Sequence, residues 1–277
     1  AEYAIVAKLD GCDDASTRLF QHTIFSGTHW FDVLHSKNWI ANQLDKDDER
    51  RDMVFWWLSA IASERPDEIE RLLRAWWNGD PARADRLVTW FGFLNRTAPN
   101  LAILQLCLDV VRSNPPQMLQ DDGRNRVSML LHSLEREDSE LGGEILEALF
   151  DAWFALHREG MPFERDDSLI SHHFMDDLPK KAPLTFLRGT TKAFLTSVEQ
   201  VIAEGESGMH WYFFQHRTAT GYRSGVDQFV AGYVEALKRF AVVDDVAAGG
   251  YLDRLPPSLH ECLMHVHLEL IAARPEL

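Results

Sequence analysis

The sequence has few signs of β structure, secretion or membrane insertion. No alternating run of Val, Ile or Thr is bounded by an Asn-Gly or Asp-Gly turn, which argues against an all-β or α/β fold. No stretch approaches the ~20 apolar residues that a membrane-spanning helix needs, and no charged and then apolar leader opens the chain. The three cysteines, Cys12, Cys107 and Cys262, are too widely spaced for a disulfide framework or a metal motif, and they fit a reducing cytosol.

Basic residues are also scarce. The 277 residues include 28 Lys and Arg against 43 Asp and Glu, so the formal net charge is −15. Because contact with phosphates requires a clustered basic surface, a nucleic acid is not expected to be the main partner. The excess of one charge favours solubility.

Motifs for nucleotide binding and for nucleophilic catalysis are missing as well. The segment Gly189-Thr190-Thr191-Lys192 lacks the upstream glycine and the Lys-Ser/Thr ending of a P-loop. No G-x-G-x-x-G follows a strand, and no G-x-S-x-G sequence occurs. We therefore predict no catalytic residue and no cofactor-binding residue in this chain, and no hydrolysis of ATP by these residues alone.

The clearest positive pattern is a pair of helices between Met53 and Trp77 that meet at Pro66. In each helix, apolar residues recur at i, i+3, i+4, i+7 and i+8, the spacing of one stripe on an α-helix. The stripes are Met53, Trp56, Trp57, Ala60 and Ile61 in the first helix, and Ile69, Leu72, Leu73, Trp76 and Trp77 in the second. Neither helix could bury this bulk alone, so the pair predicts one unit of a stacked array.

Similar stripes elsewhere predict about a dozen helices with short links, the last of them opening at Pro256-Pro257. The predicted fold class is all-α, an α-solenoid of stacked helix hairpins of the HEAT or TPR type. Residues 1–158 are expected to form one helical-repeat segment, 159–182 a joint, and 183–277 a second segment that continues the array. Apolar residues close to both ends further predict that the chain is a segment of a longer polypeptide, because helical arrays need polar terminal caps.

Two groups of histidines could bind metal. His172/Asp176 and His173/Asp177 are i, i+4 pairs on a helix, but two ligands on one face do not make a site, and an ordinary charge interaction is the simpler interpretation. Near the C-terminus, His260-Glu261 resembles the start of a zinc-protease helix. Met264 occupies the place of the required second histidine, and the later pair, His265 and His267, diverges around the helix.

Two further groups could bind partners. Trp211, Tyr212 and Arg217 belong to a run that also holds Phe213, Phe214, Gln215 and His216, which would stack on a single-stranded nucleic acid or pack in a protein contact. The other group is a series of basic residues, Arg71, Arg74, Arg83 and Arg86. Asp67 and Glu70 lie four residues before Arg71 and Arg74, so this spacing predicts ion pairs on a solvated helix face.

Two stretches of packing residues carry a resemblance to a known family. The first holds Trp30, Phe31, Leu34, Trp39, Trp56, Trp57, Leu58, Ile61, Ala62, Pro66 and Ile69. The second holds Phe174, Leu178, Pro179, Ala182, Pro183, Phe186 and Leu187. Together they resemble the helical-repeat region of large bacterial STAND-type NTPases, including the Avs-like antiphage proteins. The resemblance implies a part of the helical sensor that recognises a protein ligand, beside an effector and a P-loop NTPase elsewhere in the polypeptide. It carries over no catalytic residue.

These observations favour a non-catalytic scaffold and protein-recognition segment of a larger cytosolic assembly, with a role in antiviral defence implied by the resemblance. Its expected partners are a protein ligand and flanking domains of the same polypeptide, and any oligomerisation would run through other domains. One alternative is an all-helical metal-dependent hydrolase that uses the histidine and aspartate clusters. A second is a nucleic-acid adaptor that uses the run from Trp211 to Arg217.

Overall fold

The computed structural model describes residues 27–47, 49–94, 100–113, 115, 118–136, 138–156, 172–205 and 225–275. Within these ranges every regular element is a helix and no strand occurs, which confirms the predicted all-α class. None of the described helices is long and apolar enough to cross a membrane. The helices are α1 Trp30–Ser36, α2 Trp39–Leu44, α3 Glu49–Ile61, α4 Pro66–Trp77, α5 Pro81–Phe91, α6 Leu101–Arg112, α7 Asp121–Leu134, α8 Glu140–Leu156, α9 His172–Lys181, α10 Pro183–Glu204, α11 Gly225–Val243, α12 Asp245–Asp253 and α13 Glu261–Ala273.

Helix ends around the tryptophan hairpin follow local signals. Pro66 and Pro81 occupy the first turns of α4 and α5, where the missing N–H costs nothing. Asn78 takes the left-handed conformation, with φ of 46°, and ends α4. The Asp80 side chain then accepts a hydrogen bond of 2.9 Å from the backbone N–H of Ala82 and caps α5. The chain therefore reverses between α4 and α5 within a few residues.

The C-terminal end differs from the prediction in two respects. A separate helix, α12, was not predicted, because Gly249 and Gly250 lower helix propensity; Asp244 caps it by accepting a bond of 2.9 Å from the N–H of Ala247. The last helix begins at Glu261 rather than at Pro256-Pro257, since His260 is its N-cap residue.

The main contacts between helices follow an alternating order. Helices α3, α5, α7, α9, α11 and α13 succeed one another in one row, each packed against the helix two places before it. Helices α4, α6, α8 and α10 form a second row in the same way. Contacts such as α4 with α5 and α10 with α11 join the rows. One continuous hydrophobic core runs through the described helices.

A close contact between α8 and α10 depends on glycine. A Cβ placed on Gly189 of α10 would lie 2.5 Å from the Cβ of Leu146 on α8, so only glycine fits there. The next two residues, Thr190 and Thr191, turn their hydroxyl groups back to the carbonyl oxygens of Phe186 and Leu187, at 2.7 and 2.6 Å. The segment that fails as a P-loop is thus the interior of a helix.

An aspartate outside α10 holds its first turn. The carboxylate of Asp138 accepts hydrogen bonds from the backbone N–H groups of Thr185, at 2.8 Å, and Leu184, at 3.2 Å. The Thr185 hydroxyl in turn donates to the carbonyl oxygen of Ser139, at 2.9 Å. These bonds satisfy N–H groups that a helix cannot satisfy itself, and they tie the start of α8 to the start of α10.

The predicted joint contains a helix, because residues 172–181 form α9, which packs against α11. Helices α8 and α10, on either side of the joint in sequence, contact each other directly. The division at 159–182 stays a prediction.

His260 makes the capping of α13 sensitive to pH. Its Nδ1 accepts a hydrogen bond of 3.2 Å from the backbone N–H of Cys262. Burial lowers the pKa of His260 below its ordinary value of 6.5, although the charge of Glu261 opposes this effect. Protonation would occupy Nδ1 and remove the acceptor, so the folded state favours the neutral ring.

We therefore expect stability to fall as the pH falls below 6.5. At a pH between the pKa values of His260 in the unfolded and the folded state, the unfolded chain binds more protons than the folded chain. The stabilisation from neutral His260 is therefore complete above the unfolded pKa and is lost as the pH falls to the lower folded pKa. Urea unfolding at pH 7 and pH 5 would measure the loss. In a His260→Asn variant, which caps without titrating, the loss should be smaller; equal losses in both proteins would contradict this explanation.

Candidate partner-binding cleft

A cleft of about 590 Å³ opens between α1 and α2 on one side and α4 with the start of α5 on the other. Its volume lies within the roughly 300–1,000 Å³ that is usual for ligand pockets. The lining combines aromatic, small, amide and charged side chains. They are Phe31, Asp32, His35, Asn38, Ala41, Asn42, Asp45, Glu68, Arg71, Leu72, Ala75, Trp76 and Arg83.

The wall made by α1 and α2 depends on a tight link between two short helices. Asn38, which precedes α2, has a φ of 55° in the left-handed region, which asparagine tolerates better than most residues. The apolar residues of both helices, including Leu34 and Ile40, are buried in the core. The polar residues Asn38 and Asn42 are consequently exposed on the cleft side.

Trp76 forms part of the cleft floor and is held in a fixed orientation. Its indole Nε1 donates a hydrogen bond of 3.0 Å to the Asp45 carboxylate. Its ring meets the ring of Phe55 edge-on at 6.3 Å, and the Arg83 guanidinium lies 5.3 Å from its centroid. Only 5% of the Trp76 surface is exposed, so the ring supports the cleft and presents little surface to a ligand.

Asp45, at the end of α2, joins three parts of the chain. Besides the Trp76 indole, its carboxylate binds Arg83, with Nε at 3.2 Å and Nη2 at 3.3 Å. Arg86 donates to the backbone carbonyl oxygens of Asp45, at 3.0 Å, and Leu44, at 3.3 Å. The negative charge of Asp45 is therefore compensated by two arginines from α5.

A second ion pair involves Asp32, another residue of the lining. Arg65 Nη1 lies 2.7 Å from Asp32 Oδ1, and its guanidinium lies 5.5 Å from the centroid of the Phe31 ring. The hydrogen bond with Asp32 raises the pKa of Arg65, and the charge of Glu68 acts in the same direction. Asp32 and Glu68 therefore both interact with the positive charge of Arg65.

Three polar side chains of the lining have hydrogen-bonding groups that are available to a ligand. Arg71 is exposed, and its Nε donates to the carbonyl oxygen of Asp67 at 3.2 Å. Within the described ranges its two Nη groups have no partner, and neither do the side-chain amides of Asn38 and Asn42. The cleft can consequently bind an anionic group through Arg71 and hydrogen-bonding groups through the two asparagines.

The basic series is only partly a salt-bridged face. Arg74 pairs with Glu70 as predicted and also with Asp109 of α6, at 2.8 Å. Arg71 binds the backbone of Asp67 rather than its carboxylate. Arg83 and Arg86 instead bind the end of α2, a long-range role that helical spacing could not indicate.

Of the four proposed metal ligands in α9, only the two aspartates have described side chains. In α9, Asp177 pairs with Lys181 at 2.7 Å and Asp176 is exposed, whereas the side chains of His172 and His173 lie outside the described part. No group of three or more His, Cys, Asp or Glu side chains that are described could hold a metal ion. The metal hypothesis for His172 and His173 remains a prediction.

The C-terminal histidines have structural contacts. His260 caps α13, and the Nε2 of His267 donates to the carbonyl oxygen of Leu255. Burial raises the pKa of the Cys262 thiol, whose sulfur lies 3.2 Å from His260 Nδ1, to about 12. A thiol held in this form is a poor nucleophile at neutral pH, so the pair is not suited to catalysis.

The aromatic run with Trp211, Tyr212 and Arg217 lies outside the described residues. The cleft residues Asn38, Asn42 and Asp45 were not predicted from the sequence. Asn38 itself offered a signal, because an asparagine between two short apolar stripes is typical of a tight turn.

Comparison with known proteins adds no relative: no family model, no curated protein and no solved structure matches this chain.

Proposed function

We propose that this chain is a stretch of α-solenoid, built of HEAT- or TPR-like stacked hairpins, that acts as a non-catalytic scaffold and protein-recognition segment. The observation that carries the proposal is the alternating order of contacts, in which every helix from α5 to α11, and α13, packs on the helix two places before it. Rows of this kind grow in one direction and leave long open surfaces, which suit the recognition of a protein. The cleft beside α4 is one such surface.

The outer face of α13 supports membership of a larger assembly. Its buried residues Cys262, Val266 and Leu270 face the core. Met264, Leu268 and Ile271, which are 48%, 59% and 46% exposed, lie roughly 150° around the helix. That is the side on which the next helix of the row would pack. We propose that flanking domains of the same polypeptide cover it.

The resemblance of the packing residues supplies the wider setting. We propose that the segment belongs to the sensor of a bacterial, cytosolic STAND-type NTPase that acts in antiviral defence. A protein ligand would bind the open surface of the array, and the changed packing would reach an effector elsewhere in the polypeptide. Direct contact with nucleic acid and a cofactor in this segment form no part of the proposal.

Small-angle X-ray scattering of the purified chain tests the array. A compact chain of this length would have a radius of gyration of about 19 Å. We expect a clearly larger value and an asymmetric distance distribution. A value near 19 Å, or stoichiometric metal in the purified protein, would overturn the proposal in favour of a compact metalloprotein. Salt-dependent binding of single-stranded DNA would instead favour the nucleic-acid adaptor.

A further inference from the structure

We propose that the cleft between α1–α2 and α4–α5 binds an extended segment of a partner protein that carries a carboxylate side chain. Arg71 would bind the carboxylate, while Asn38 and Asn42 would bind the backbone of the segment. This inference rests on the proposed recognition function and names the chemistry of the partner.

Within the described part of the chain, Arg71 is the arginine of the lining that binds no carboxylate. Asp32 and Glu68 act on the neighbouring Arg65. Asp45 binds Arg83 and accepts a hydrogen bond from the Trp76 indole. Arg71 differs, because only its Nε is used, in a bond with a backbone carbonyl. A guanidinium with two available Nη groups binds a carboxylate with two parallel hydrogen bonds.

The spacing of the two asparagines favours an extended peptide over a compact small molecule. Asn38 and Asn42 are four residues apart, and the backbone N–H of Asn42 donates to the carbonyl oxygen of Asn38 at 3.1 Å, as in a helical turn. Four helical residues span about 6 Å along the axis. Alternate residues of an extended chain are about 6.5 Å apart. Each asparagine amide offers both a donor and an acceptor, which matches the N–H and C=O of a peptide unit.

The lining of the cleft leaves room for a peptide chain. Ala41 of α2 and Ala75 of α4 both belong to it, and their side chains are small. The floor contains Phe31 and Leu72, which are almost fully buried, and Trp76, which is fixed by its bond to Asp45. A floor that is already ordered loses little entropy when a ligand binds.

A phage-displayed library of random heptapeptides, selected on the whole purified chain, provides the probe. We expect the selected peptides to share an Asp or Glu at one position. A synthetic copy of one of them would then be measured by fluorescence anisotropy against the wild type and the variants. Arg71→Gln should weaken its binding at least about tenfold, as expected for the loss of a charge-assisted hydrogen bond. Ala75→Trp, which fills the cleft, should abolish it.

Two matched variants control for the changes themselves. Ala82→Trp adds the same bulk at an exposed alanine of α5 that is not part of the lining, and Arg112→Gln removes an arginine of α6 that is not part of the lining either. Both should bind as the wild type does. In addition, Arg71→Glu should prefer a peptide in which the acidic residue is replaced with lysine. Unchanged thermal unfolding would establish that each variant is folded.

The proposal is overturned if the library yields no binding peptide. It is also overturned if selected peptides bind Ala75→Trp and Arg71→Gln as tightly as the wild type. The second result would reject this cleft as the binding site and would still allow the chain to recognise a protein through another surface. A compact scattering profile would instead reject the proposed array, whether or not peptides bind. The two failures can therefore be distinguished.

Discussion

Replacement of Trp57 with alanine is expected to lower the free energy of unfolding by roughly 3–5 kcal/mol. The side chain of Trp57 has no exposed surface, and its ring lies 6.3 Å from that of Phe31, between α3 and α1. Removing it leaves a cavity in the core that holds one wall of the cleft. Urea unfolding followed by circular dichroism would measure the loss, and the melting temperature should fall by roughly 6–20 °C.

Trp77 provides the matched comparison, because it belongs to the stripe of the second helix of the same hairpin and is only partly buried. Trp77→Ala removes the same number of atoms and should therefore cost clearly less than Trp57→Ala. If both variants melted at the wild-type temperature, the tryptophan hairpin would not be part of the core. If Trp77→Ala cost more, the burial described for α3 and α4 would be wrong.

Replacement of Gly189 with valine is expected to have an effect of similar size. A Cβ at this position would lie 2.5 Å from the Cβ of Leu146 and 2.7 Å from its Cγ, and valine adds two methyl groups beyond the Cβ. Overpacking of a tight core costs roughly 1–3 kcal/mol, and here both helix backbones would have to move apart. We expect a loss at or above the top of that range, measured by urea unfolding.

Gly249 supplies a control for the removal of a helical glycine, because a Cβ there would meet nothing within 4 Å. Gly249→Ala should be neutral or stabilise the protein by up to about 1 kcal/mol, since alanine favours the helix. A Gly189→Val variant as stable as the wild type would show that α8 and α10 do not pack as closely as described.

Helix positions were largely predictable from the sequence. The stripe that ends at Trp77, with Pro66 before it and Asn78-Gly79 after it, matches α4 at both ends. Helix α10 likewise has a proline, Pro183, in its first turn. Helix α12 was not predicted, because the low helix propensity of its two glycines outweighed two favourable signals. These signals are a capping aspartate and a short apolar stripe that includes Tyr251 and Leu252. Propensity and packing conflicted there, and packing prevailed.

The cleft was much less predictable. Its supports are bonds between residues far apart in sequence, such as Trp76 with Asp45, which are 31 positions apart, and Arg65 with Asp32, which are 33 apart. An aspartate in an acidic connection gives no local sign of which indole or guanidinium will reach it. The candidate groups with a recognisable spacing, among them His260 and Arg74, have structural contacts instead.

The class of the fold and both ends of α4 followed from the order of the residues alone, because caps, proline positions and apolar stripes act over three or four neighbours. The pairing of rows, the close contact at Gly189 and the cleft with Arg71 depended on the tertiary structure. These features arise when distant helices exclude water together, and many different pairings would satisfy the same stripes. Only the packed arrangement selects one pairing, and with it the surface that a partner meets.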